Sequence, residues 1–163
     1  MSVGTMDELF VDELKDLYSA EKQITKALPK LAKGATSEEL KMAFQSHLEE
    51  TNGQIARLEQ IFEILGKSPK GKTCVGMKGV LEEGSEMLED TEKGEVRDAG
   101  LISAAQRVEH YEMAGYGSAR DFAKLLGQSE IAALLDETLA EEKAADKKLT
   151  GISKQVNVAA KQA

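Results

Sequence analysis

Four long stretches of this sequence repeat apolar residues at helical spacing, and each stretch sets at least one carboxylate within or at the edge of its own apolar stripe. A stripe of that width must be buried against other helices, so the acids go inward with it. The first stretch, about 7–33, carries Phe10, Leu14, Leu17, Ile24, Leu28 and Leu31, with Asp7 as N-cap, Gly34 as stop and Pro29 as a kink or local break. The second, about 37–65, is capped by Ser37, ended by Gly66, and carries Leu40, Phe44, Leu48, Ile55, Leu58 and Phe62. The third, about 95–126, carries Leu101, Ala105, Val108, Tyr116, Ala119, Ala123 and Leu126. The fourth, about 129–152, carries Leu135, Leu139, Leu149 and Ile152. A polar tail over 153–163 is expected to fray.

Between the second and third stretches lies a connector too long for a simple up-down bundle. It holds a basic segment, Lys67–Gly76, and a short helix over about 77–89 that Gly79 and Gly84 weaken. Two long helical pairs joined by such a crossover predict an all-α, ferritin-like four-helix bundle with a short fifth helix, in one domain over 1–163. The Met and Leu residues of that crossover helix are expected outside the bundle core, free for a dimer contact. Only 4% of residues are aromatic and there is no Trp, which argues against a β-sandwich.

At 100° per residue, Glu21, Glu112 and Glu142 fall near the centres of their stripes. Glu109 flanks Glu112 by one turn, and Asp146 follows Glu142 at i+4 on the inner side. His47 and Gln54 lie inside the second stripe, with Glu50 at its edge. Glu21 and Glu50 are 29 residues apart and Glu112 and Glu142 are 30 apart, so two equal hairpins would bring their acids to one level. Each bare carboxylate buried there would cost on the order of several kcal/mol, and the acids would repel one another. Divalent iron or manganese compensates such an oxygen-rich set, and an imidazole suits the same ions. The other acids, among them Glu38, Glu39, Glu49, Glu82, Glu83 and Glu141, read as solvated faces.

The net charge of −8 argues against a nucleic-acid partner. No stretch reaches the length of a membrane span, and the N-terminus lacks a secretory pattern, so the expected compartment is the cytoplasm. The single Cys74 excludes an internal disulfide and reads as an inert or merely oxidisable thiol. Residues 66–73, GKSPKGKT, match the phosphate-binding pattern G-x-x-x-x-G-K-T, but a helix precedes them where the mechanism needs a strand. They read as a flexible basic connector. Tyr18 and Tyr116 each stand one turn from a candidate ligand, placed either to hydrogen-bond it or simply to pack.

The stretches DLYSAEKQITKALPKLA, FQSHLEETNGQIARLEQ, TEKGEVRDAGLISAAQRVEHYEMAGYG and ETLAEEKAADKKLT resemble the YciF/YciE-type bacterial stress proteins, over nearly the whole chain. That resemblance implies a ferritin-like, rubrerythrin-related homodimer with two divalent metal ions per chain, iron first and manganese or zinc as alternatives. Carried over residue by residue, it implies Glu21, Glu50, the pair Glu109 and Glu112, and Glu142 as ligands. Where the pattern would place His after the second- and fourth-helix Glu, this chain has Gly53–Gln54 and Ala145–Asp146. His47 and Asp146 are the candidates to fill those places, and His110 reads as an outer-face residue. Two functions follow: a di-metal protein, with redox activity toward O2 or peroxide as a further expectation, or a non-enzymatic stress bundle whose metal only stabilises the fold. A miniferritin-like storage cage is a third.

Overall fold

The computed structural model describes residues 3–163. Five helices follow in order: α1 Met6–Gly34, α2 Glu38–Leu65, α3 Val75–Asp90, α4 Glu95–Leu125 and α5 Ser129–Gln162. No strand occurs among the described residues. Helices α1 and α2 form one hairpin, α4 and α5 the other, and α1 packs on α4 while α2 packs on α5. Helix α3 spans the long connection and packs on α4 and α1. This is the ferritin-like four-helix arrangement with a crossover helix.

Local chemistry sets the ends. Thr5, not Asp7, caps α1: its hydroxyl accepts from the Glu8 amide while Glu8 reaches back to the Thr5 amide, a closed capping box. Pro29 leaves α1 unbroken, and it sits on the exposed side. Gly34 does not stop the helix by a left-handed turn. Its missing side chain makes room for Leu88, which packs where a Cβ would stand. Gly66, with φ of 61°, does end α2 in the left-handed conformation that favours glycine.

Asp98 on α4 is buried and fixes the turn between α1 and α2. Its two carboxylate oxygens accept from the Thr36 and Ser37 amides at 2.7 Å each, beside the Ser37 cap. Nothing in the stripe pattern singled it out. Asp98→Ala orphans both amides and is expected to cost about 2–4 kcal/mol, read as a lower midpoint in urea. An unchanged midpoint would contradict this role.

Two expectations are corrected. Residues 153–162 continue α5 rather than fraying, because Ile152 and Val156 join the core one turn apart. The crossover helix is not outside the core: Met77 is fully buried, and Leu81, Met87 and Leu88 pack against the same cluster. Those side chains are largely spent inside the chain.

The core comes in two apolar parts. One holds Ile24, Leu28, Phe44, Val108 and Leu149. The other holds Leu14, Leu17, Leu58, Tyr116 and Leu135. A layer of buried polar residues falls between these parts along the chain, Glu21, His47, Thr51, Gln54, Glu109, Glu112 and Glu142, with Thr138 buried beside it at the edge of the second part.

Candidate metal centre

Each long helix delivers to this layer. Helix α1 supplies Glu21, α2 supplies His47 and Gln54, α4 supplies Glu109 and Glu112, and α5 supplies Glu142. Glu21, Glu112 and Glu142 are wholly inaccessible to solvent, and Glu109 nearly so. One ligand atom from each of His47, Glu109, Glu112 and Glu142 lies within 4.8 Å of all the others. His47 Nε2 stands 3.2 Å from Glu109 Oε1 and 3.8 Å from Glu142 Oε2. Glu21 joins from α1: its Oε1 accepts a 2.5 Å hydrogen bond from Tyr116, and its charge acts on Glu112 in the same buried layer.

The donor set passes a simple test of fit. Among the described residues, eight buried side-chain atoms have no hydrogen-bond partner, and seven of them belong to Glu21, His47, Glu109, Glu112 and Glu142. The eighth is Gln54 Oε1. Buried polar atoms are ordinarily satisfied, so a cluster of orphans at one level of a bundle marks a place for another group. The orphans are carboxylate oxygens, one imidazole nitrogen and one amide oxygen, which together suit a divalent transition metal.

Glu50 stands differently from its expected place. Its side chain is 44% exposed, and its Oε2 lies 3.4 Å from His47 Nδ1. Glu50 therefore sits behind the imidazole. By accepting from Nδ1–H it turns the Nε2 lone pair toward Glu109 and Glu142, the arrangement in which a carboxylate orients a metal-binding His. Asp146 is not brought into the cluster. It faces outward, 3.3 Å from His110 Nε2 and 3.1 Å from Gln106 Nε2. His110 is on the outer face as read, with a side chain 63% exposed.

The electrostatics follow from burial. Removal from water is the main cause that pushes the Glu21 carboxyl up to about 8. The Glu142 charge adds to it, while the neighbouring Glu112 carboxyl, the Tyr116 hydrogen bond and the His47 charge pull the other way. Burial and then neighbouring acids hold Glu109 and Glu112 well above the ordinary carboxylate range. Burial pushes His47 down, but its bond to Glu50 and the Glu142 and Glu21 charges more than reverse that. A Glu21 carboxyl at 4.5 when unfolded and about 8 when folded holds more protons in the folded state between those values. The metal-free chain is therefore expected to lose stability as pH rises from 4.5 to 8, by on the order of several kcal/mol. Urea unfolding at pH 5.5 and pH 8 reads the trend; greater stability at pH 8 would contradict it.

Other residues of the layer escaped the stripe reading. Arg57 of α2 crosses to α5, donating to Glu137 at 2.9 Å, to Thr138 at 2.5 Å and to both Glu141 oxygens at 3.0 and 3.2 Å. Glu141 also accepts from Gln54 Nε2 at 3.0 Å. Glu141 is thus a tie between helices and not a solvated face. Tyr18 bonds Glu59 at 3.0 Å and stacks edge-on against Phe62, away from the layer.

The two remaining motifs are absorbed by structure. Lys72 of the phosphate-loop look-alike pairs with Asp12 at 2.5 Å, and the segment lies between two helices. Cys74 is buried at the start of α3, its Sγ 3.0 Å from both Asp16 Oδ2 and Tyr111 Oη. Burial, then the Asp16 contact, push its thiol up. Native protein at pH 8 is expected to react with a disulfide reagent at least about tenfold more slowly than urea-unfolded protein. Equal rates would contradict a buried thiol.

Comparison with known proteins agrees with this architecture. The family described as "Domain of unknown function (DUF892)" matches residues 5–161. Protein YciF of Escherichia coli K12 is 51% identical over 154 residues, 94% of this chain and 93% of the relative. The crystal structure of that E. coli stress protein superposes with a TM-score of 0.92, covering 94% of this chain and 98% of the other at 50% identity. A ferritin-like, diiron-carboxylate protein from Bacillus anthracis shares only 15% identity but a TM-score of 0.72 over 93% of this chain and 99% of its own, a likeness of fold. Among the described residues, no helix is long and apolar enough to cross a membrane.

Proposed function

The chain belongs to the DUF892 family, and from that premise we propose that it is a ferritin-like protein binding two divalent metal ions, iron first among them. The observation that carries this reading is the set of orphaned buried atoms on Glu21, His47, Glu109, Glu112 and Glu142. Four of these residues are carboxylates, so two divalent ions would cancel their charge within the layer. His47, Glu109, Glu112 and Glu142 would hold one ion. Glu21, with Glu112 and Glu142 as shared ligands and Gln54 Oε1 as a neutral one, would hold the other. Glu50 orients His47, and Tyr116 orients Glu21.

Bound iron would supply one-electron chemistry toward O2 or peroxide, which fits a role in stress like that named for the E. coli relative. The protein's own part is to exclude water, hold the ligand oxygens at fixed positions and place the Tyr116 hydroxyl against Glu21. Iron loaded without oxygen and then given peroxide is expected to show the rising near-ultraviolet absorbance of ferric carboxylate. Iron that stays ferrous sinks the redox reading and leaves a metal that only stabilises the fold. The resemblance also implies a cytoplasmic homodimer, and light scattering should give twice the 17.7 kDa chain mass; a shell-sized particle would favour the storage cage instead.

A further inference from the structure

Against one side of the polar layer lies a cavity of about 110 Å³ that all four bundle helices line. Its wall is apolar: Ile24, Leu28, Phe44, Val108 and Leu149, with Leu81 reaching in from α3. Alanines stand where larger side chains would close it, among them Ala105 and Ala145. At its inner end are His47 and Glu109, both more than nine-tenths buried and each carrying an orphaned atom. At its outer end are Ser46, Glu50 and Lys148, in the gap between α2 and α5.

An apolar void inside a bundle is costly, because cavities destabilise in proportion to their volume. This void adjoins His47 and Glu109 and is also lined by Ser46, Glu50 and Lys148. An engineered apolar cavity of about 150 Å³ stays dry and takes up benzene. We propose that the cavity is a binding site for a small, largely apolar organic molecule of roughly six heavy atoms, held against the His47–Glu109 side of the metal layer. Its role as substrate pocket rests on the metal reading; binding itself does not.

The cavity's shape states the chemistry. A short alkyl or single-ring body fits among Ile24, Leu28, Val108 and Leu149, and one polar group can meet either His47 within or Lys148 at the mouth. A charged or sugar-like molecule would leave its polar groups unpaired on that wall.

The test uses the full chain, metal-free and zinc-loaded, with benzene and 1-pentanol as probes. Carbon-labelled methyl resonances of Ile24, Leu28, Val108 and Leu149 are followed during titration. Saturable shifts confined to those methyls are expected, together with a raised unfolding temperature. Ala105→Leu and Ala145→Leu, which fill the cavity from its interior and from its mouth, should each weaken probe binding at least tenfold. Both should keep the wild-type zinc stoichiometry. Two variants guard against one failing to fold. Shifts that do not saturate, or filled variants that bind as well as the wild type, overturn the proposal. Protein that takes the probes but no zinc overturns the metal reading instead, and confines the proposal to an apolar site.

Discussion

Divalent metal is expected to raise the unfolding temperature of the metal-free protein by roughly 15–30 °C at pH 8. The size follows from linkage. An ion present at a thousand times its dissociation constant stabilises by about 4 kcal/mol, and two such ions by about twice that. A chain of this length shifts by roughly 2–4 °C for each kcal/mol. The gain should shrink toward pH 5, where protons already occupy the raised carboxyls of Glu21, Glu109 and Glu112 and compete with the metal. Calorimetry with manganese, which needs no protection from oxygen, reads both effects. A shift that is equal at pH 5 and pH 8 would mean that the ion binds elsewhere.

The second large effect has the opposite sign to ordinary core mutations. Glu112 is fully buried and neither of its oxygens has a partner. Glu112→Leu removes that desolvated carboxyl and fills its place with apolar volume. Replacing buried charged groups in this way often stabilises by about 1–4 kcal/mol. Metal-free Glu112→Leu is therefore expected to be more stable than metal-free wild type, while its metal affinity falls at least about a hundredfold. Crossing the two measurements matters. A purely structural Glu112 would give lower stability in the variant, with or without metal.

The stripes of the sequence located the bundle and much of the buried polar layer because helical periodicity ties angle to residue number. Glu21, Glu112 and Glu142 sit at stripe centres, where an error of 30° still leaves a side chain inside. Glu50 and Asp146 lie near the edges. Four residues advance a helix by 400°, so Asp146 is turned some 40° from Glu142, enough to meet His110 and Gln106 outside the layer. Glu50, three residues after His47, is turned about 60° the other way and ends behind the imidazole. Spacing along one helix cannot show which neighbouring helix a stripe edge meets.

The same limit hid Arg57. Its partners Glu137, Thr138 and Glu141 lie on α5, about 80 residues away, and depend on the register between α2 and α5. Asp98 was illegible for a related reason: its partners are backbone amides of a turn, which carry no sequence signal. Gln54 was visible inside its stripe, but a neutral amide there reads as core packing until its orphaned oxygen is seen. The end of α5 could have been read. Ile152 and Val156 keep the i, i+4 spacing beyond the point where the surrounding residues turn polar.

Metal content is the measurement that tests the central claim most directly. Protein stripped with chelator, dialysed without oxygen against ferrous iron and assayed by elemental analysis should retain close to two irons per chain. Glu112→Leu treated alongside it should retain far less than one. Wild-type protein that keeps less than a tenth of an iron per chain, while folded and monodisperse, would contradict a metal centre in the polar layer.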